Sequence, residues 1–246
     1  MLLPTRIIYL AETESTNLHL LQSPDLLEIN GLVVTAETQT AGRGRRGKKW
    51  ETGPKGQLYF SLCLHTSGYP CPDHSFTLIA GLALAKAFEE YKTPNLSIKW
   101  PNDLLVNSKK LAGILCEGFS GGMVIGIGVN LIGEPVDFGT EVQNKITTLQ
   151  SATNLIKTPT EVILNFCGHF QKCLQKIKLN GLDSSLKEWE AISSSINSEI
   201  YFEDQGTWKE GITKGLGPAG ELLVESCGKL TSLFSGETSL TPPPLD

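Results

Sequence analysis

The run Gly122–Asn130, GMVIGIGVN, constrains the fold of this chain more than any other stretch. Its period of two puts Met123, Ile125, Ile127 and Val129 on one face of a strand, with Val124, Gly126, Gly128 and Asn130 on the other. Glycine weakens a strand interior, so two on one face mark a place where a ligand or another part of the chain comes close. A sheet is therefore required, and something must lie against its glycine face.

The surroundings supply the rest of that sheet and the helices that cover it. Gly31–Ala36 (GLVVTA) is a short β-branched run that reads as a buried strand, and QLYFSLCL alternates Leu58, Phe60, Leu62 and Leu64 against Gln57, Tyr59, Ser61 and Cys63. SIKW and KLAGILCE add two more strands. Phe76, Ile79, Ala80, Ala83, Leu84, Ala87 and Phe88 recur at helical spacing, which predicts a core-facing helix from Ser75 to Glu90 capped by Asp73 or Ser75. Glu14-Ser15-Thr16-Asn17 before Leu18, Leu20 and Leu21 predicts an earlier helix entry, capped by a hydroxyl or amide side chain. Thr158-Pro159-Thr160-Glu161 is a capping box with proline at the first helical position, and its stripe runs to Gly181; a shorter helix follows around Leu186 to Ile192. From about Ser198 the texture changes to short runs (EIYF, TWKEGI, ELLVES, LTSLF) between Gly- and Pro-rich turns, which predicts a small β-barrel and a disordered TPPPLD tail. The expected fold is α+β: a mixed sheet with helices over residues 1–195, then a small barrel over residues 196–246.

Composition narrows the function classes. The net charge of −5 argues against a general nucleic-acid-binding surface, and no segment is apolar for long enough to span a bilayer. The apolar part of MLLPTRIIYLAETE is too short for a signal peptide and is interrupted by Pro4 and Arg6. Six cysteines are scattered without a CxxC pair or Cys/His ligand spacing, so reduced thiols in the cytoplasm are expected, with neither disulfides nor zinc.

Positive charge is local. Arg43, Arg45, Arg46, Lys48 and Lys49 crowd the segment Gly42–Trp50. GRGRRG formally matches the dinucleotide fingerprint GxGxxG, but it does not open a helix within a βαβ unit; a Walker A loop is excluded because Lys49, not Ser or Thr, follows Lys48. A loop whose glycines allow close approach and whose guanidiniums meet phosphate or carboxylate fits better. Alone it would read as a solvated basic turn. Lys99-Trp100-Pro101-Asn102-Asp103 puts Asn102 and Asp103 in a turn beyond the SIKW strand, and Lys110 stands at the mouth of the apolar run LAGIL. There it either snorkels or presents one cation to an anionic substrate.

Together, Ser15-Thr16-Asn17, Gln39–Gly47, Lys99–Asp103, Lys110–Ile114 and Gly126–Asn130 resemble the biotin protein ligase family in residues, order and spacing. Ile146–Leu149 and the closing GITKGLGPAGELLVE with SGETSL resemble that family's later catalytic segment and small C-terminal barrel. The resemblance implies activation of biotin with ATP to biotinyl-5′-AMP and transfer to a lysine. It implies biotin contacts from Ser15, Thr16, Gln39, Gly42, Arg43, Arg45, Lys110 and Gly113. Nucleotide contacts are implied for Arg43, Arg45, Arg46, Trp50, Asn102, Lys110 and Asn130. Catalysis falls to Lys110, Arg45 and Asp103, with magnesium expected beside ATP and no metal ligands identified. The implied partner is a biotin carboxyl carrier protein or domain of acetyl-CoA carboxylase or a related carboxylase; a homodimer is allowed, and neither DNA nor membrane is expected. Larger members carry an N-terminal helix-turn-helix, for which the stretch before Ser15 leaves no room, so the short form is expected. Gln57 departs from an asparagine common at that place. The rival readings are a lipoate or octanoate transferase, which shares the catalytic fold, and a nucleic-acid binder using the basic loop.

Overall fold

The computed structural model describes residues 3–204, 207–234 and 238–239. Seven strands form the main sheet: β1 (Arg6–Thr13), β2 (Leu32–Gln39), β3 (Leu58–His65), β4 (Leu96–Lys99), β5 (Asp103–Val106), β6 (Lys109–Phe119) and β7 (Gly122–Val129). Their spatial order is β1-β2-β3-β7-β6-β5-β4; β1 and β2 pair in parallel and every other pair is antiparallel. The mixed sheet of the expected α+β class is therefore present.

Alternation decides which residues meet which layer. Leu58, Phe60, Leu62 and Leu64 of β3 join Ile125, Ile127 and Val129 of β7 in the larger core, beneath helices α3 (Ser75–Glu89) and α5 (Pro159–Asn180). Cys63 and Val124 face the other way, into a smaller core with Leu20, Leu32 and Val34 beneath α1 (Thr16–Leu21) and α2 (Pro24–Leu27). The two faces of β3 predicted by its pattern are thus both covered, and Leu58 to Leu64 are all buried. Helix α3 is apolar nearly all round because it lies between the sheet, α5 and α6 (Asp183–Ala191).

Two capping expectations are corrected. Neither Asp73 nor Ser75 caps α3: His74 holds the cap position without a side-chain bond, and the Ser75 hydroxyl instead donates to Ala219 O at 2.9 Å. Ser15 precedes α1 in extended conformation, but its side chain makes no capping bond. The capping box of α5 forms as expected, with Thr158 N donating to Glu161 Oε2 at 2.8 Å and Glu161 N to Thr158 Oγ1 at 3.3 Å.

After α6 the chain builds a five-stranded antiparallel sheet from β8 (Glu199–Asp204), β9 (Thr207–Leu216), β10 (Leu222–Ser226), β11 (Lys229–Leu233) and β12 (Thr238–Ser239), in the order β11-β10-β9-β8-β12. A register shift at Leu223/Val224 curls it, in keeping with an SH3-like barrel. Its apolar residues Ile200, Phe202, Leu222, Val224 and Leu233 belong to the same continuous core as α3 and α5. The TPPPLD tail lies outside the described residues. All six cysteines are free; burial pushes the Cys63, Cys71 and Cys173 thiols up to about 11 and those of Cys116 and Cys167 to about 12. In the native protein iodoacetamide at pH 8 is expected to alkylate exposed Cys227 first, as read by peptide mass mapping; equal labelling of Cys167 would contradict the packing.

Candidate active site

On the face of the main sheet opposite α3, a cavity of about 320 Å³ opens between the N-terminus of α1, the segment Arg43–Trp50 and the strands β6 and β7. Its floor exists because Gly113, Gly126 and Gly128 carry no side chains. A Cβ on Gly128 would stand 2.5 Å from the Trp50 ring and one on Gly113 2.7 Å from it, while one on Gly126 would strike the Asn17 amide. The close approach expected at the glycine face is therefore made by Asn17 and Trp50. The Trp50 indole N–H is buried with no acceptor among the described residues, a donor that a bound ligand could satisfy.

At one end the cavity is lined by a buried polar chain. Gln39 Oε1 accepts from Thr16 N at 2.8 Å and from Thr16 Oγ1 at 3.2 Å, so the free N–H of α1 is capped by a residue 23 positions away. Ser61 Oγ donates its one proton to Asn17 Oδ1 at 2.5 Å and lies 2.7 Å from Thr16 Oγ1. Asn17 Nδ2 in turn donates to Leu115 O at 3.1 Å and Glu117 Oε2 at 2.8 Å, and the other Glu117 oxygen pairs with Arg43 at 2.8 Å. Polar groups this deep persist because each finds a partner.

The other end is cationic. Arg43, Arg45, Arg46, Lys48, Lys49, Lys99 and Lys110 line the cavity against one carboxylate, Asp103. Lys110 Nζ pairs with Asp103 Oδ1 at 2.8 Å and lies 5.3 Å from the Trp50 ring centroid, within cation–π range. Its backbone is held on both sides: Lys110 N donates to Lys145 O at 2.9 Å, while Lys110 O accepts from Thr147 N at 3.0 Å and Asn130 Nδ2 at 3.1 Å. Arg45 Nη1 reaches Asn102 Oδ1 at 3.4 Å. Burial lowers the Arg45 pKa from its ordinary value, and neighbouring Asp103 opposes that shift. The basic segment is a small hairpin, closed by Trp50 N to Gly42 O at 3.0 Å and Gly44 N to Lys48 O at 2.7 Å around a tight turn at Arg45–Gly47.

Of the sequence-derived candidates, Ser15, Thr16, Gln39, Arg43, Arg45, Arg46, Trp50, Asn102, Asp103, Lys110 and Gly113 all line this cavity. Gly42 and Asn130 stand behind its wall. Gly42 lets the Trp50 carbonyl approach, where a Cβ would come within 2.7 Å, and Asn130 braces Lys110. Asp103 is not in the turn as expected: the turn is Trp100–Asn102, and Asp103 opens β5, paired with Lys99 and Gly113. Gln57 turns its side chain away to bind Leu131 N, Pro54 O and Ile132 O, a bracket between β3 and the chain after β7. Ser61 and Glu117 were not among the candidates; a serine and a glutamate in strands carry no signal until the partners across the sheet are known.

Residues 9–131 match the Biotin/lipoate A/B protein ligase family. The chain is 31% identical over 232 residues to the Bifunctional ligase/repressor BirA of Escherichia coli, covering 92% of this chain and 71% of that protein. The chain belongs to the biotin protein ligases. It is also 36% identical to the Biotin--[acetyl-CoA-carboxylase] ligase of Mycobacterium tuberculosis, covering 92% of this chain and 86% of that one. The solved biotin protein ligase from Aquifex aeolicus in complex with biotin and ATP superposes with a TM-score of 0.83 at 28% identity, over 96% of this chain and 98% of that one.

The glycine floor gives two distinguishable expectations. Gly126→Ala strikes an amide held by three hydrogen bonds and should cost about 1–3 kcal/mol in urea unfolding. Gly128→Ala should displace the Trp50 ring from the floor and red-shift tryptophan emission, with a smaller loss of stability.

Proposed function

We propose that this ligase activates biotin with ATP to biotinyl-5′-AMP and pyrophosphate, then passes the biotinyl group to a lysine of a biotin carboxyl carrier domain. The observation that carries this reading is one cavity with a neutral polar end (Thr16, Gln39), an apolar glycine floor and a cationic end around Lys110. A bicyclic urea on an aliphatic acid needs that sequence of environments: hydrogen bonds for the ring, a smooth channel for the chain, cations for the carboxylate.

In the first step a carboxylate oxygen attacks the α-phosphorus and the bond to pyrophosphate breaks. Two anions must approach, and negative charge grows on the phosphoryl oxygens. Lys110, Arg43, Arg45 and Arg46 lower the repulsion and stabilise that charge, with Asn102 and Trp50 as further nucleotide contacts. Asp103, released when Lys110 turns to the substrate, is the base placed to take the proton of the incoming lysine amine. That amine then attacks the acyl carbon, and AMP leaves. The mixed anhydride hydrolyses readily in water, so the hairpin Gly42–Trp50 serves as its cover. Ser15, Gly42 and Gly113 shape the biotin end, and Asn130 positions Lys110.

The donor set does not fit a resident metal. No group of three or more His, Cys, Asp or Glu is placed to hold an ion among the described residues, and Asp103 is engaged by Lys110. Magnesium is accordingly assigned to the MgATP substrate. We assign the chemistry to residues 1–195 and a supporting role to the small barrel at 196–246, and place the enzyme in the cytoplasm, without a DNA partner. Among the described residues no helix is long and apolar enough to cross a membrane. The oligomeric state, monomer or homodimer, does not enter the reaction as written.

The deciding assay is pyrophosphate exchange into ATP with biotin, lipoate or octanoate. Biotin alone should stimulate it; stimulation by lipoate and not by biotin would transfer the assignment to the lipoate branch. Lys110→Ala is expected to lower the exchange rate by two orders of magnitude or more, roughly the loss of one oriented donor at a developing anion, with unchanged circular dichroism. Arg45→Gly removes a cation and stiffness from the cover; a loss of ~1.4 kcal/mol in closure raises the open fraction up to tenfold. At equal ATP turnover it should biotinylate a bystander such as albumin, detected with streptavidin, where the wild type labels the carrier.

A further inference from the structure

The small C-terminal sheet reaches the cavity at two places that the reaction above leaves unused. Glu203 Oε2, on β8, accepts from Arg46 Nη2 at 2.8 Å. At the turn before β10, Gly220 O accepts from Trp100 Nε1 at 3.3 Å and Ala219 O from the Ser75 hydroxyl at 2.9 Å. Trp100 opens the turn that carries Asn102 and leads into Asp103 at the start of β5, so the second contact seats the small sheet against the body beside the cationic end. The first contact is then a strap from a seated element to the tip of the basic hairpin.

Arg46 is suited to such a strap. It sits at φ 54°, ψ 37°, a left-handed conformation that an L side chain rarely adopts and that needs something to hold it. Glu203 engages one of its terminal nitrogens, and the guanidinium fork keeps other donors for phosphate. The opposite flank of the hairpin is tied separately, by Arg43 to Glu117 on β6. The hairpin is thus anchored on one side to the main sheet and on the other to the small one.

We propose that Glu203 is a positioning residue for the adenylate cover: through Arg46 it holds the basic hairpin over the cavity between formation of biotinyl-AMP and its transfer. The proposal rests on the reading of that hairpin as the cover, and gives the small sheet a defined part in retaining the intermediate. Carrier labelling and leakage are its readouts.

The test is Glu203→Gln, assayed at equal ATP turnover for biotin on the carrier and on albumin. A roughly two- to fivefold rise in the albumin-to-carrier ratio is expected, the range for loss of one exposed charge pair, with a raised KM for ATP and little change in kcat. Adding Glu203→Gln to Arg46→Gln should change nothing further. Glu225→Gln, which breaks the Lys214–Glu225 pair elsewhere on the same sheet, should keep the wild-type ratio. A wild-type ratio in Glu203→Gln, an equal rise in Glu225→Gln, or additive effects in the double variant each overturn the proposal. Arg45→Gly run alongside separates the two layers: if it leaks while Glu203→Gln does not, the cover stands and the strap falls, and if neither leaks, both fall.

Discussion

Everything at this site depends on three missing side chains. Gly113, Gly126 and Gly128 lie on the adjacent strands β6 and β7 and leave a trough in a surface that would otherwise carry Cβ atoms. Into it sink the first turn of α1 and the Trp50 ring. That depth has an electrostatic consequence. Asn17 and Thr16 are buried there, and Ser61, Gln39 and Glu117 supply hydrogen bonds in place of bulk water. The glycines are tolerated within strands because the groups that fill the trough repay the lost packing.

The cationic end obeys a related rule. Like charges gathered at one end of a cavity repel one another, and among the seven cations there Glu117 is the resident acceptor for Arg43, Asn102 for Arg45, Glu203 for Arg46 and Asp103 for Lys110. These pairs are partly exposed, so each contributes little to stability; those of Arg43, Arg45 and Lys110 are weak enough to exchange, while Arg46 keeps further donors beside the one that Glu203 engages. Preorganisation comes from the backbone instead. The Lys110 backbone is pinned by neighbours on both sides, so its ammonium is free to leave Asp103 without rebuilding the strand.

The local parts of this arrangement were legible in the sequence, because periodicity and capping act over a few residues. The strands at 32–39, 58–65, 109–119 and 122–129 and the box at Thr158–Glu161 follow from such signals, whereas most cavity-lining residues follow from the resemblance of five ordered motifs to a family. What stayed hidden is non-local. β1 shows no alternation, since its burial pattern is irregular and its partner β2 lies beyond α1 and α2. β5 begins directly after the turn at Trp100–Asn102, where Asp103 reads as part of the turn until its pairing with Gly113 is known. The α1 cap comes from Gln39 and the Ser75 hydroxyl serves Ala219, distances along the chain that no local rule spans.

The same non-locality explains why the small sheet cannot be regarded as a detachable appendage. Its core residues Phe202, Leu222 and Val224 are continuous with those of α3 and α5, and Glu190 on α6 accepts from Leu216 N at 2.6 Å. Removing it would uncover buried leucine and tryptophan on the helical layer, at roughly 25 cal/mol for each Å² of apolar surface returned to water, so the two sheets should unfold together. An element that shares the core cannot drift relative to the cavity. It therefore offers a fixed point for the hairpin tip, and under the proposed cover an exposed pair of modest strength is sufficient, because such a cover has to release between one turnover and the next.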